Sequence, residues 1–355
     1  MNLLATSPTA LQIVWFILVC VLWIGYLVLE GFDYGVAMLI PFLGKTEKEK
    51  RVIVNTIGPV WDGNQVWLLT AGGATFAAFP GWYATLFSGL YLPLFLILVG
   101  LIIRGVSFEY RAKNPETKWR NTFDWMASIG SFIVALVFGV GFANFIIGLP
   151  VVTAPGNDSL YVLDGKPYFW QLFSPFALLG GIVLVVLFLF HGANYLALKT
   201  KGEVHDKARA FASKAGLVAI VGGAIYLLWF QLAYSAGLFG WVLLVLAALG
   251  LVASWWFGQQ GRDGIAFIGT AAATAFVTVM IFVRMFPTMG FNSAKVKTAL
   301  DVTVAASSES TLVLMTIAAV IFVPIVLGYT AWNYKVFSRR LGTVNMPDEK
   351  ELTPA

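Results

Sequence analysis

Gly58-Pro59-Val60-Trp61-Asp62-Gly63-Asn64-Gln65-Val66-Trp67 is a polar opening to an otherwise apolar helix, with one carboxylate, two amides and two tryptophans. Proline suits the first helical position, which sets the start at Pro59. The apolar run then continues to Phe79, and about 20 apolar residues are enough to cross a bilayer core. Whether this stretch is a span decides the fold, because an even number of crossings would put both chain ends on one side. Polar groups are costly in membrane, so the stretch reads as a functional site. The other reading is a helix start with a solvated Asp62 held at the positive end of the helix dipole.

The rest of the chain favours the membrane. Of its 355 residues, 59% are hydrophobic and only 12% charged, and the mean hydropathy is +0.81. A soluble domain carries about 25% charged residues. The single Cys20 excludes a disulfide within the chain. Two histidines and one cysteine leave little material for a metal site. The net charge of +5 comes from basic residues in short loops, which points to membrane orientation rather than to nucleic acid. Residues 1–8 lack basic side chains and no small-residue cleavage site follows, so the first helix is expected to stay in the mature protein.

Nine spans are predicted: 10–42, 59–79, 83–104, 123–147, 172–198, 211–235, 238–258, 263–286 and 310–337. With the N-terminus outside, 19 of the 23 lysines and arginines fall on the cytoplasmic side. That asymmetry predicts N-out and C-in. The expected fold class is therefore an all-α polytopic membrane protein of nine transmembrane helices. Residues 1–342 form its membrane domain, and 343–355 form a polar, disordered cytoplasmic tail. The longer external loops, 148–171 and 287–309, read as turn-rich caps on the helices.

Inside the first span, Glu30 and Asp33 are three residues apart and share a face. Gly31 and Gly35 flank them as a GxxxG pair, which lets another backbone approach closely. At about 1.5 Å of rise per residue, Asp33 lies about 15 Å and Glu30 about 20 Å from the cytoplasmic end of their helix. Asp62 is only about 5 Å beyond its own helix start. The three acids form a descending series from the cytoplasmic mouth inward, the pattern of a proton-entry path. Asn64 and Gln65 supply donors and acceptors to orient a carboxylate or hold water. Trp61 and Trp67 point to different sides, and Ala71-Gly72-Gly73-Ala74 gives the helix a smooth flank for tight packing.

Other polar points carry less. Arg104 and Glu109 read as interfacial at a helix end, and Asp124 as a charge near a helix N-terminus. His191 is the one histidine within a span; it reads as a hydrogen-bonded packing residue, with haem ligation as the weaker alternative. His205 reads as solvated in a charged loop. Glu309, after Ser307-Ser308, reads as helping to cap the last helix.

Several segments together resemble subunit II (CydB) of the cytochrome bd quinol oxidases. They are Glu30-Gly31-Phe32-Asp33-Tyr34-Gly35-Val36, the opening stretch from Gly58 to Trp67, and Gly72-Gly73-Ala74-Thr75-Phe76-Ala77-Ala78-Phe79-Pro80. Phe108-Glu109-Tyr110-Arg111, Trp119-Arg120, Ala305-Ala306-Ser307-Ser308, Thr311-Leu312 and Tyr329-Thr330-Ala331-Trp332 continue the likeness to the last span. The resemblance implies a nine-helix fold, two four-helix bundles plus one helix, in the bacterial plasma membrane. It implies a non-haem subunit of a terminal respiratory oxidase that reduces oxygen to water with quinol and builds a proton gradient. Haem b and haem d belong to the partner, cytochrome bd subunit I (CydA), with small single-helix subunits, lipid and quinone as further partners. Asp62 matches the acid at the mouth of a proton path, with Asp33 and Glu30 near that route. Trp67 matches a tryptophan of an oxygen route, and Trp61 is expected with it as an oxygen-route or interface residue. Glu30 is Asp in some members, which changes its reach. The competing reading is a proton-coupled secondary transporter using Asp62, Asp33 and Glu30, although no matched pair of broken helices is evident.

Overall fold

A computed structural model describes residues 7–164 and 168–346. The chain is helical along most of that length. In order come α1 (Ala10–Leu43), α2 (Glu47–Ile57), α3 (Trp61–Ala78), α4 (Pro80–Gly89), α5 (Tyr91–Tyr110) and α6 (Thr117–Ile147). A hairpin of β1 (Leu149–Ala154) and β2 (Asn157–Leu163) and the short α7 (Tyr168–Gln171) follow. Then come α8 (Pro175–Lys199), α9 (Glu203–Tyr234), α10 (Gly237–Gln259), α11 (Asp263–Met285), β3 (Phe291–Asn292), α12 (Val302–Ala305) and α13 (Glu309–Val336). Of the expected tail, Thr343–Asn345 forms a 3-10 turn, and 347–355 lie outside the described residues.

Among the described residues, eight helices are long and apolar enough to cross a membrane: α1, α5, α6, α8, α9, α10, α11 and α13. They account for every predicted span but 59–79. That stretch does form a helix, α3, of 18 residues, but its polar first turns keep its hydropathy below that of the others. The predicted span 83–104 is drawn differently. A break at Leu90 divides it into α4 and α5, and α5 runs on to Tyr110. Pro80 at the first position of α4 and the non-helical Leu90 account for the two ends.

Packing follows glycine contacts. α1 and α8 touch backbone to backbone at Gly35 and Gly192, where a Cβ on Gly35 would sit 1.9 Å from the Phe188 carbonyl oxygen. The GxxxG pair of the first helix thus serves its expected purpose, with α8 as the partner. Gly250 of α10 and Gly269 of α11 make a second such crossing, and Gly100 of α5 with Gly130 of α6 a third. Gly72 and Gly73, expected to serve the same end in α3, have nothing within 4 Å of an added Cβ, so that flank is unused within this chain. α1 packs on α3, α6 and α8, α5 packs on α6, and α8 to α11 pack on one another in sequence. The last helix, α13, lies against α1 and α3, and Leu312 is its one buried residue.

The described parts of the two longer loops carry regular structure that their turn residues did not suggest. Pro155-Gly156 makes the hairpin turn, with Gly156 at φ 80°, a value open to glycine at the third position of a type II turn. β3, from the second loop, pairs parallel to β1 and joins the loops into one three-stranded sheet.

Candidate functional site

The polar residues of α1 meet partners from three other helices in the interior. Glu30, Asp33 and Arg104 are each fully buried. Arg104 of α5 donates Nη1 to Glu30 Oε1, and its guanidinium lies 4.7 Å from the Tyr34 ring centroid and 5.7 Å from that of Trp61. Asp33 accepts from Asn64 Nδ2 of α3 at 2.6 Å through Oδ2. The other side of that amide, Asn64 Oδ1, accepts from the Tyr334 hydroxyl of α13 at 2.8 Å. Asn64 Nδ2 also reaches the Leu29 carbonyl at 3.3 Å, where it ties α3 to the α1 backbone. Tyr26 and Tyr34 share a 2.5 Å hydroxyl contact beside the cluster.

These contacts are what burial demands. An ionised group in low dielectric must be paired and hydrogen-bonded, or its desolvation is uncompensated. Two carboxyls and one guanidinium occupy the interior, and two carboxyl oxygens, Glu30 Oε2 and Asp33 Oδ1, are left without a partner. The two acids are three residues apart on α1 and so share one face of the helix.

The predicted residues are placed as follows. Glu30, Asp33 and Asn64 come together. Asp62 is exposed at the start of α3, two residues before Asn64. Trp61 stacks obliquely on Phe108 at 5.2 Å between ring centroids. Trp67 lies on Gly25 of α1, where an added Cβ would fall 2.3 Å from its ring. Gln65 is half-buried and its side chain makes no hydrogen bond among the described residues. Arg104 was read as interfacial; it is instead the counter-ion of Glu30, because α5 continues six residues past it. The signal available was a cation inside an apolar run that also needs a partner for its charge. Tyr334 carried no such signal, since a tyrosine near a helix end is ordinary.

His191 donates or accepts at both ring nitrogens, to Thr270 Oγ1 at 2.6 Å and the Val28 carbonyl at 3.0 Å. The ring also stacks on Phe267 at 4.7 Å. Neither nitrogen is open to a haem iron, so this residue does not fit haem ligation. No group of three or more metal-ligating side chains occurs among the described residues.

Asp124 and His205 differ from their predicted settings, and Glu309 is placed more finely. Asp124 lies two turns inside α6, buried, and accepts from Arg111 Nε at 2.6 Å. His205 is in the first turn of α9, hydrogen-bonded to Asp206 and Asp263 rather than free in solvent. The cap of α13 is Ser308, accepting from the Thr311 N–H, with Glu309 in the first turn. Around Asp124, Glu47 of α2 binds Arg51, Arg111 and Arg120. Burial works to raise the Glu47 carboxyl, but hydrogen bonds from Arg111 and Arg51 and the charges of Arg111 and Arg120 overcome it and hold it below its usual value.

The sequence matches the model of the cytochrome bd terminal oxidase subunit II family over residues 11–337. Cytochrome bd-I ubiquinol oxidase subunit 2 of Escherichia coli (strain K12) is 39% identical, with 93% of this chain and 95% of that protein covered. Cytochrome bd ubiquinol oxidase subunit 2 of Bacillus subtilis (strain 168) is 38% identical over 94% of this chain and 97% of its own. Among solved structures, the bd oxidase from Geobacillus thermodenitrificans has a chain of the same fold. It matches with a TM-score of 0.74 at 18% identity, over 93% of this chain and 99% of that one. With a membrane-spanning helical fold, a buried acid–arginine cluster and near full-length likeness at this level, the chain belongs to the cytochrome bd terminal oxidase subunit II family.

Proposed function

We propose that this chain is the non-haem subunit of a quinol:oxygen oxidoreductase, which supports a haem-bearing subunit I and passes protons toward its haems. Family membership supplies the oxidase assignment. The proton role rests on one observation: the interior of α1, α3 and α5 holds two carboxyls against one guanidinium. Such a cluster is neutral when the carboxyl pair holds one proton. That proton gives Glu30 Oε2 and Asp33 Oδ1 the partner they otherwise lack. A site that is neutral with one proton, with the exposed Asp62 about half a turn from Asn64 on α3, is suited to take up protons singly.

In this reading α3 is the ninth span, with N-out and C-in orientation and two four-helix bundles flanked by α13. The burial of Asn64 and its bonds to α1 and α13 support α3 as an integral helix despite its polar start. Asp62 is the entry acid, the Glu30–Asp33 pair the relay, and Asn64 with Tyr334 fix Asp33 in place. Gln65 borders the entry, Trp61 covers Arg104, and Trp67 lies on the outer side of α1 along a route for oxygen. Haem b, haem d and quinol oxidation reside in subunit I. Small single-helix subunits, membrane lipid and quinone complete the assembly in the bacterial plasma membrane.

Two measurements test this. The purified complex should show b- and d-type haem bands that stay with the larger subunit when the two are separated. Asp62→Asn should then lower quinol-driven oxygen consumption at least tenfold, with haem content and subunit ratio unchanged. Wild-type turnover and proton uptake in that variant would remove Asp62 from the path.

A further inference from the structure

The cytoplasmic ends of α1 and α6 enclose a polar cleft of about 570 Å³. Lys45, Lys50, Arg120, Asn121, Thr117 and Glu47 line it. Thr117 and Asn121 also belong to a shallow, open groove on the face of α6 that continues past Trp125 and Met126 to Ile129. The composition changes along the way, from lysine and threonine at the α6 start to tryptophan, methionine and isoleucine further in. From Thr117 to Ile129 the helix advances about 18 Å. Half of a hydrocarbon core is about 15 Å, so the groove has the depth of one leaflet.

The charges of the cleft do not cancel. Glu47 is engaged by Arg51, Arg111 and Arg120, and Lys50 by Asn121 and Asp124. Lys45, in the cleft, and Lys118, on the groove, are exposed and enter no ion pair among the described residues. α6 also begins here without a side-chain cap, so its first-turn N–H groups have no side-chain acceptor. Where cleft meets groove, Phe42 and Trp125 meet edge to face at 5.5 Å, at 54% and 48% exposure. Tryptophan is favoured at headgroup depth.

We propose that this α1–α6 groove binds one anionic phospholipid of the cytoplasmic leaflet. Its phosphate sits between Lys45, Lys118 and the start of α6, and an acyl chain lies along Trp125, Met126 and Ile129. The uncancelled positive charge selects an anionic over a zwitterionic lipid, whose own cation would face the lysines. The continuous apolar floor selects a lipid over a soluble anion. The site is separate from the Glu30–Arg104 cluster and does not depend on the role proposed for it.

Native mass spectrometry of the intact complex in mild detergent tests this, with phosphatidylglycerol or phosphatidylcholine titrated in. The wild type should bind phosphatidylglycerol at least fivefold more tightly than the double variant Lys45→Gln/Lys118→Gln, with phosphatidylcholine binding equal in both. Lys295→Gln, on the external side, should behave as wild type. Unchanged haem bands in each variant show that assembly is intact. As a second readout, brominated phosphatidylglycerol should quench less tryptophan fluorescence in Trp125→Phe than in wild type. Equal phosphatidylglycerol binding in wild type and double variant would overturn the proposal, and so would a groove sealed by another subunit that binds neither lipid. Displacement of bound phosphatidylglycerol by millimolar inorganic phosphate would also overturn it, by showing that the apolar groove contributes nothing.

Discussion

Arg104 and Glu30 form a pair whose members are far costlier apart than together. Removing one partner of a buried ion pair costs about 3–5 kcal/mol, because the other is left charged and unpaired. Arg104→Leu should therefore lower the apparent unfolding midpoint of the purified complex sharply. Adding Glu30→Gln to it should recover most of the loss, since neither charge remains. A double variant as unstable as Arg104→Leu alone would show that the arginine acts by packing on Tyr34 and Trp61 instead. Tyr334→Phe removes one hydroxyl from Asn64. It should cost about 1 kcal/mol in the same measurement and slow turnover by loosening Asp33. At this scale the sequence revealed the acids well, because a carboxylate in an apolar run has few innocent explanations. It concealed the cation, because hydropathy ended the third span at Arg104 while the helix itself continues to Tyr110.

Among elements, glycine positions make a sharp contrast. Gly35→Ala would place a methyl 1.9 Å from a backbone oxygen of α8. Neither backbone can yield without moving a helix, so the variant should assemble poorly or not at all. Gly72→Ala meets nothing within 4 Å and replaces the poorer helix former. It should leave midpoint and assembly as in wild type, and failure there would mean that another subunit needs this flank. α2 supplies a pH test. The Glu47 carboxyl is held below its ordinary 4.5 by the surrounding arginines, although burial opposes them. Its contribution is therefore full above pH 4.5 and is lost as pH falls through the depressed folded value. Unfolding midpoints measured from pH 7 down to pH 4 and below should fall, and Glu47→Gln should flatten that dependence. All nine predicted spans fall on helices, eight of them long and apolar enough to cross a membrane, whereas the break at Leu90 and the α2 helix have no counterpart in the prediction. Neither has a hydropathy signal: Leu90 is apolar, and α2 is a short amphipathic segment that reads as a charged loop.

For the whole molecule, the path of α13 is the telling feature. It is bound at its N-terminal end by Ser307 to Ala77 and Ala78, and by Trp15 to Leu312. Past its C-terminal end, Leu341 bridges to Lys199 and Lys201, and Arg340 pairs with Asp263 at 2.9 Å. Between these moorings its sides are apolar and exposed. Truncation after Phe337 should thus leave α13 in the membrane but lower the unfolding midpoint and open the α8–α9 turn to protease. Unchanged cleavage would show that the C-terminal mooring is dispensable. Long-range ties of this kind, such as an arginine at 340 with an aspartate at 263, have no trace in local sequence pattern. The overall class was legible from composition alone.

The distance along the chain between Glu30 and its arginine has a consequence for biosynthesis. The acid leaves the ribosome 74 residues before Arg104. At about 5–20 residues per second, that is roughly 4–15 s in which the first helix is made and its counter-ion is not. Asn64 waits longer still for Tyr334, 270 residues downstream. The first helix must therefore be released into lipid with Glu30 protonated, or be retained by the insertion machinery until α5 arrives. A nascent chain stalled before residue 104 should be a substrate for membrane quality control, whereas one stalled just beyond α5 should already be shielded.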